Sequence, residues 1–448
     1  MQNIAAFTAL NRFGLGSKPE DAAFVAGDPA RWLKGQISAS AALPASLQEF
    51  PSSADIMKDI HQARRAGDRM LRQQIGRKYR KNFAGEVTAR ARHMVTTDTP
   101  FAERMVMFWS NHFTVSRTRG IVGPALPAYE REAIRPHVFG KFEEMLLATT
   151  GHIAMLTYLD NMGSIGPNSR AGKRRGKTLN ENLAREILEL HTLGVNGGYS
   201  QQDVIELAKA LTGWSHGGIG GKKSTRPVHG RFQFRPAFHE PGLKTVLGET
   251  YRENGINEAT SILRDLARHR STAAFIATKL VRHFVSDDPP RSAVDTIARA
   301  FRDSGGDLAV VSRALVDLDE SWAEPLAKVK TPYELIISTF RAVQTTDLNQ
   351  RILNVPLRAM GQQPFNAPSP AGWPDTAAHW VAPEALMRRI EWARAVSARL
   401  PARIDPRELL VQTIGPVATD ATRRMVDAAP SSDAALALIF ASAEFQRR

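Results

Sequence analysis

Residues 180–214 read NENLAREILELHTLGVNGGYSQQDVIELAKALTGW, and this stretch decides the fold class. When residues are placed 100° apart, as in an α-helix, the first half from Glu181 to Leu193 divides into an apolar and a polar face. A glycine-rich turn follows. Ser200 then has the pattern of a helix N-cap, with Asp203 three residues later as in a capping box. The stretch therefore predicts two short helices joined by a turn.

The polar face of the first helix carries a dense set of ionisable groups. Glu181, Arg185 and Glu189 stand at positions i, i+4 and i+8, so the guanidinium group lies between two carboxylates, with Glu186 beside them. One interpretation is a solvated ladder of ion pairs. The other is a buried polar site, whose carboxylates act as bases or bind a metal ion. His191 projects from the apolar side, roughly 160° from Glu189, so these two residues cannot bind one ion.

Polar residues in other segments could complete such a site. The enzyme hypothesis assigns catalysis to Glu181, Arg185, Glu186, Glu189 and His112. It assigns substrate binding to Asn111, Asn180, Asn182, His239 and Trp373. It assigns binding of a divalent metal ion, the expected cofactor, to Asp160 and Asn161. The alternative readings stay open, because an Asp-Asn pair is usually a turn and a histidine at a helix end complements the helix dipole.

The charge balance predicts anionic partners. The chain has 59 Lys and Arg against 45 Asp and Glu, a net charge of +14, which favours an anionic ligand, a polysaccharide or a membrane surface. No recognition-helix, RNP-like or zinc-finger pattern is present, so specific nucleic-acid binding is not expected. A basic helical stretch at residues 55–97, with interruptions expected near Gly67 and Gly85, reads as a solvated face or as a strip that binds a polyanion.

Cysteine content and hydropathy limit the remaining classes. The chain has no cysteine, which excludes disulfides, thiol catalysis and cysteine-ligated metals. No run of about 18 apolar residues predicts a transmembrane helix, and no signal peptide is visible. As written, the sequence predicts a cytoplasmic protein.

The rest of the chain is predicted to be helical. The convincing strand signal is Phe232–Phe234, within a segment that reads as a small hairpin. Residues 163–177 and 215–231 are glycine-rich and basic, and are expected to be flexible loop insertions. The Pro-rich loop at residues 361–374 is expected to cap a pocket or to cover the core. These signals predict an all-α protein with at most a small β-hairpin, folded as one large helical domain over residues 1–448.

Many segments together resemble the bacterial family called domain of unknown function 1800. The segments that carry the resemblance are ALNRFGLG, MVMFWSNHFTVS, MLTYLDN, the quoted stretch at 180–214, FHEPGLKTVLG, RHRSTAAFIATKLVRHFVSDDPP, KVKTPYELI, MGQQPFNAPSPAGWP and SAEFQRR. The resemblance implies a bacterial protein, encoded near a protein similar to phosphatases and sulfatases, with relatives that are often exported. The sequence departs from the family pattern at Arg270, where a proline is expected, and in its lack of a visible signal.

Two functions lead from the sequence, and a general polyanion or membrane-surface binder driven by net charge is a weaker third. The first is a metal-dependent hydrolase or transferase that acts on an anionic or carbohydrate substrate through the residues assigned above. The second is a non-catalytic binding or assembly partner of the co-encoded phosphatase- or sulfatase-like protein. An enzyme should gather the polar groups around a concave pocket, whereas a scaffold should pair them internally and expose an apolar patch.

Overall fold

The computed structural model describes residues 4–37, 42–117, 122–175, 179–217 and 230–448. Over these residues the protein is mainly α-helical, with two small antiparallel sheets of two strands each. The predicted fold class is confirmed. The division of the chain into one large domain stays a prediction.

The helices of the first half share short lengths and frequent changes of direction, apart from the long α6. In chain order they are α1 (Ile4–Thr8), α2 (Asp21–Val25), α3 (Pro29–Gly35), α4 (Ala45–Gln48), α5 (Ser53–Ala66), α6 (Arg69–Thr96), α7 (Pro100–His112), α8 (Leu126–Tyr129), α9 (Phe142–Gly151), α10 (Ile153–Tyr158), α11 (Gly172–Arg175), α12 (Asn182–Glu186) and α13 (Gln201–Ala210). Three of them, α1, α8 and α12, run on into a π-helical turn, at Ala9–Phe13, Glu130–Ile134 and Ile187–His191. Short 3-10 turns lie at Gly123–Ala125, Arg135–His137, Asn161–Gly163 and Pro236–Phe238.

The second half is a continuous series of helices after the strands. These helices are α14 (Ile256–Arg268), α15 (Arg270–Phe284), α16 (Arg291–Asp303), α17 (Leu308–Asp317), α18 (Glu320–Ala323), α19 (Pro332–Ala342), α20 (Gln350–Ala359), α21 (Ala377–Trp380), α22 (Pro383–Ser397), α23 (Pro406–Thr413), α24 (Asp420–Asp427), α25 (Ser432–Ala441) and α26 (Ala443–Gln446).

Helix boundaries follow the local signals in most places. The Ser200 side chain accepts a hydrogen bond from the Asp203 backbone N–H and the Asp203 carboxylate accepts one in return, so the predicted capping box of α13 is confirmed. Gly67 separates α5 from α6 with a φ of 73°. The interruption predicted near Gly85 is wrong, because α6 continues through it. Gly85 instead allows close approach, since a Cβ there would lie 3.3 Å from the Phe50 ring.

The strands are short. The predicted strand at Phe232–Phe234, β2, pairs antiparallel with β1 (Trp214–His216), and Trp214 lies opposite Phe234. Residues 218–229, which make up most of the second predicted flexible loop, lie outside the described residues. A separate hairpin follows, formed by β3 (Lys244–Val246) and β4 (Glu249–Tyr251).

The first predicted loop, at residues 163–177, is packed over its described part, which ends at residue 175. The Gly166 N–H donates to the Phe238 carbonyl at 2.9 Å, and the Ala171 N–H donates to the Ala237 carbonyl at 2.8 Å. Asn168 donates from its side chain to Glu240 at 2.6 Å. These contacts hold the segment against the 3-10 turn that precedes the β3–β4 hairpin.

Buried apolar side chains form two large clusters, and the candidate site lies where they meet. One cluster is centred on α7 and includes Phe108. The other is centred on α19, whose eleven residues are all buried, and includes Tyr333. Phe365 packs against both clusters. Among the described residues, no helix is both long and apolar enough to cross a membrane.

Candidate functional site

A cavity of about 510 Å³ lies between α7, α15, the start of α19 and the Pro-rich loop at residues 361–374. Its size is that of a small-molecule site. Its lining includes ionisable and other polar side chains, among them Arg90, Ser110, Asn111, His112, Glu130, Lys279, Arg282, His283, Asp287, Tyr333, Glu334 and Asp375. The Pro-rich loop contributes Phe365 and Trp373, so it caps a pocket, which is one of the two roles expected for it.

A histidine and a carboxylate form the best-defined pair in the cavity. His283, near the end of α15, has its Nδ1 atom 2.8 Å from the Oδ2 atom of Asp375, which follows the Pro-rich loop. A neutral His283 therefore donates from Nδ1–H to the carboxylate and carries its lone pair on Nε2. No described residue offers a hydrogen bond to Nε2. The pair thus holds an oriented imidazole whose buried Nε2 atom has no hydrogen-bond partner among the described residues.

The surroundings favour a neutral imidazole beside a charged carboxylate. Burial lowers the pKa of His283, and Asp375 acts against this shift. Burial by itself would raise the pKa of Asp375, but His283 and the nearby Lys328 hold it below its ordinary value. At neutral pH His283 can therefore accept a proton, and Asp375 can stabilise the imidazolium that results.

Two cations on α15 face the cavity without an anionic partner. Lys279 lies one helical turn before His283, and Arg282 precedes His283 directly. No described residue forms a hydrogen bond or an ion pair with either, and the Lys279 Nζ atom lies 5.6 Å from the centre of the Phe275 ring. Burial, together with the nearby Arg282, lowers the pKa of Lys279 to about 8, against the opposing effect of Asp375. Lys279 is therefore still mainly charged at pH 7.

The other charges of the cavity are paired. Arg90 donates to both oxygens of Glu130, at 2.5 and 2.8 Å, and to the Tyr333 hydroxyl at 2.9 Å. Ser110 donates to the same Glu130 at 2.7 Å. Glu334 lies between Arg104 and Arg448, and Asp287 pairs with Lys328. Because these acids are matched by bases, Lys279 and Arg282 give the cavity an excess of positive charge.

The floor of the cavity is formed by the end of α7. His112 is buried, and its Nε2 atom lies 3.1 Å from the His191 carbonyl oxygen, which leaves the lone pair on Nδ1. Burial holds the pKa of His112 well below its ordinary value. Asn111 binds the Pro-rich loop through two hydrogen bonds, from its amide to the Trp373 carbonyl at 3.0 Å and from the Trp373 N–H to its oxygen at 2.7 Å. Asn111 therefore fixes the loop over the cavity.

The charged face predicted on the α12 helix does not line this cavity. Arg185 donates to Glu181 at 3.1 Å and to Glu189 at 3.3 Å, and it also donates to Gln201. All three charged side chains are between 26 and 38 % exposed, which is the geometry of the ion-pair ladder. Glu186, the fourth predicted residue, differs from these three, because burial and the neighbouring Glu189 raise the pKa of its carboxyl group. The roles predicted for these four residues stay predictions.

Several other predicted residues are occupied in local structure. Asn180 accepts from the Asn182 backbone at 2.9 Å at the start of α12. The Asn161 amide donates to the carbonyls of Leu211 and Trp214. Asp160 has a φ of 58° in a turn. Among the described residues, no three His, Asp or Glu side chains are grouped to hold a metal ion.

His239 also lies apart from the cavity. Its Nε2 atom lies 2.9 Å from Glu258 and its Nδ1 atom 3.0 Å from the Thr212 carbonyl, while Lys244 pairs with the same Glu258 at 3.0 Å. The roles predicted for these residues stay predictions. Of the predicted set, His112, Asn111 and Trp373 line the cavity, and the others do not.

The residues that sequence reasoning missed are His283, Asp375, Lys279 and Arg282. A local signal existed for three of them, because Lys279, Arg282 and His283 recur at spacings of three and four residues on one predicted helix. Asp375 had a weaker signal, as the first acidic residue after the Pro-rich loop. Their meeting depends on the fold, which brings the end of α15 to the end of that loop.

The fold and the site define a mainly helical protein with a positively charged, partly enclosed cavity. The chain belongs to the family described as protein of unknown function (DUF1800), whose sequence model matches residues 8–447. The family resemblance of the sequence is thereby confirmed. Comparisons with curated proteins and with solved structures gave no match.

Proposed function

We propose that the protein is a hydrolase that cleaves an ester in an anionic substrate bound in this cavity, with His283 as the general base. The observation that carries the proposal is the buried Nε2 atom of His283, which has no hydrogen-bond partner among the described residues, in an imidazole held by Asp375 at 2.8 Å. A base oriented by a carboxylate recurs in hydrolases of unrelated folds.

The reaction uses water as the nucleophile. His283 Nε2 takes a proton from water while the water oxygen forms a bond to the electrophilic centre of the ester. The bond from that centre to the leaving alcohol oxygen then breaks, and the imidazolium returns its proton to that oxygen. Asp375 stabilises the imidazolium in between, so the dyad ends the cycle in its starting state.

The charge of the cavity selects the substrate. Lys279 and Arg282 have no described anionic partner, and both line the cavity together with His283. An anionic group bound by them would lie in the same cavity as His283, and charge-assisted hydrogen bonds of this kind are about twice as strong as neutral ones. Substrate charge therefore supplies both affinity and position.

A panel of chromogenic anions tests the proposal. We expect the purified protein to release nitrophenolate from at least one of 4-nitrophenyl phosphate, 4-nitrophenyl sulfate and 4-nitrophenyl hemisuccinate. His283→Asn should reduce kcat/KM by on the order of 100-fold or more. The control is His137→Asn, which alters a half-buried histidine outside the cavity. Equal rates for the wild type and His283→Asn would contradict the proposal.

The same panel separates an enzyme from a binding protein. Calorimetry measures whether sulfate binds to the wild type and to Lys279→Met. If Lys279→Met abolishes sulfate binding and the wild type cleaves no ester of the panel, the cavity binds an anion without catalysis.

One observation favours the alternative role as a partner of the co-encoded phosphatase- or sulfatase-like protein. Leu386, Met387 and Ile390 on α22 are 40, 56 and 40 % exposed and share one helix face. Exposed apolar faces of this kind occur in protein interfaces. Met387→Glu should abolish co-purification with that protein if the face binds it, and unchanged co-purification would exclude the face.

A further inference from the structure

A row of arginines follows the exposed first half of α6. Arg69, Arg72, Arg77 and Arg80 lie on one side of the helix together with Gly76, within an arc of roughly 140° at 100° per residue. All four arginines are exposed. At 1.5 Å per residue, the row spans roughly 16 Å.

These guanidinium groups have no ion-pair partner among the described residues. Within the part of the chain that the structure describes, none of the four forms an ion pair, and Arg72 donates to the Asp68 backbone carbonyl alone. Elsewhere on the same helix, Lys78 pairs with Asp59 at 2.9 Å. Adjacent unpaired charges repel each other, and a bound polyanion would relieve that repulsion.

The row forms one side of a groove. Arg72, Gly76 and Arg80 face Arg64 of α5 and Arg117 across a depression of about 750 Å³. Gln350 and Asn354, two neutral amides at the start of α20, line the same groove. The Arg117 guanidinium lies 4.8 Å from the centre of the Phe83 ring, which fixes its position.

The groove and the cavity share a wall. Phe83 lines the groove, Phe365 lines the cavity, and the centres of the two rings are 6.1 Å apart. The backbone N–H of Arg117 donates to the Phe365 carbonyl at 2.9 Å. A ligand in the groove is therefore separated from the cavity that His283 lines by the rings of Phe83 and Phe365.

We propose that this groove binds the chain of a carboxylated polysaccharide, and the link to ester cleavage in the neighbouring cavity rests on the proposed function. The arginines suit carboxylates, because a guanidinium group and a carboxylate form two parallel hydrogen bonds. The amides of Gln350 and Asn354 suit sugar hydroxyls, since an amide both donates and accepts.

The groove is less suited to a nucleic acid strand. Single-stranded nucleic acids bind to exposed aromatic rings on which their bases stack. The two aromatic residues of the groove are Tyr79, which is buried, and Phe83, which is half-buried beneath Arg117. The groove thus offers charges and amides in place of a stacking surface.

Fluorescence anisotropy with labelled oligogalacturonate tests the groove without any turnover. We expect the wild-type protein to bind this probe with an affinity that falls steeply with salt. Arg72→Gln combined with Arg80→Gln should weaken binding by about tenfold or more, since two charge-assisted contacts to carboxylates are lost. The matched control is Arg394→Gln combined with Arg399→Gln, which removes the same charge from exposed positions on and just after α22 and should leave affinity within about twofold.

Each further outcome has one meaning. Absence of binding by the wild type, or equal weakening by both double variants, would overturn the proposal. Tighter binding of a labelled oligothymidylate that depends on the same arginines would replace the polysaccharide by a nucleic acid. His283→Asn should bind oligogalacturonate normally. If it does so but ester cleavage is not found, the groove stands and the hydrolase proposal falls.

Discussion

His283 and Asp375 are separated by 92 residues in the chain, yet their side chains meet with Nδ1 and Oδ2 2.8 Å apart. The contact joins the end of α15 to the end of the Pro-rich loop, and the Asp375 backbone carbonyl accepts a second hydrogen bond from Lys328 Nζ at 2.7 Å. The loop and the imidazole are therefore fixed relative to each other.

Asp375→Asn should disable the dyad and leave the fold intact. An asparagine at this position no longer stabilises an imidazolium and can present its amide N–H to Nδ1, which selects the wrong tautomer of His283. We expect kcat/KM to fall by on the order of 100-fold or more. The acidic limb of the pH profile should also move to lower pH, because the Asp375 carboxylate acts to raise the pKa of His283. Steady-state kinetics from pH 5 to 9 measures both, and an unchanged profile would contradict the role of Asp375.

Anion affinity should fall as the pH rises through the pKa of Lys279. Burial lowers that pKa to about 8, so Lys279 loses its charge between about pH 7 and 9, well before an exposed lysine does. Sulfate binding measured by calorimetry should weaken over this interval. Lys279→Arg should bind sulfate with little change, because arginine stays charged. The same pH dependence in both proteins would exclude Lys279 as the responsible group.

The contribution of Lys279 to stability changes with pH in the opposite direction to its contribution to anion binding. The pKa of Lys279 is lower in the folded state than its ordinary value of 10.5, so the unfolded state binds more protons between about pH 8 and 10.5. The contribution of Lys279 to the free energy of unfolding therefore becomes more favourable as the pH rises through this interval. Lys279→Met should remove that contribution, which urea unfolding across the interval measures.

Arg90→Met should destabilise the protein strongly. The substitution leaves the buried Glu130 without the cation that binds both of its oxygens. Removal of one partner of a buried pair costs about 3–5 kcal/mol. Arg185→Met breaks the exposed ladder on α12 and should cost less than about 1 kcal/mol. Urea unfolding of both variants gives the comparison, and equal losses would show that the Arg90 pair is not a stabilising contact.

Gly372→Ala should disturb the loop over the cavity more than Gly361→Ala. Both glycines have positive φ angles, 85° and 81°, so alanine is strained at either position. At Gly372 a Cβ would also lie 2.5 Å from the Asn111 carbonyl oxygen, whereas at Gly361 nothing lies within 4 Å. The difference between their unfolding free energies isolates this steric clash. A smaller loss for Gly372→Ala would contradict the close approach of the loop to α7.

Local patterns predicted the helices and their faces well. The Ser200 capping box and the break at Gly67 depend on neighbouring residues and on backbone conformation, and both are confirmed. Glu181, Arg185 and Glu189 were placed on one face by helical geometry, and the structure pairs them. Gly85 was misjudged because its small size serves contact with Phe50 and not a break in α6.

The sequence by itself determined the mainly helical class, the family and the net positive charge, because periodicity, motif order and composition are properties of neighbouring residues or of simple counts. The tertiary structure alone decided which of many polar residues meet. His112, Lys279, His283 and Asp375 come from three distant segments, and their approach depends on how α7, α15 and the Pro-rich loop pack. Packing of this kind is set by contacts across long stretches of chain, which no local pattern encodes.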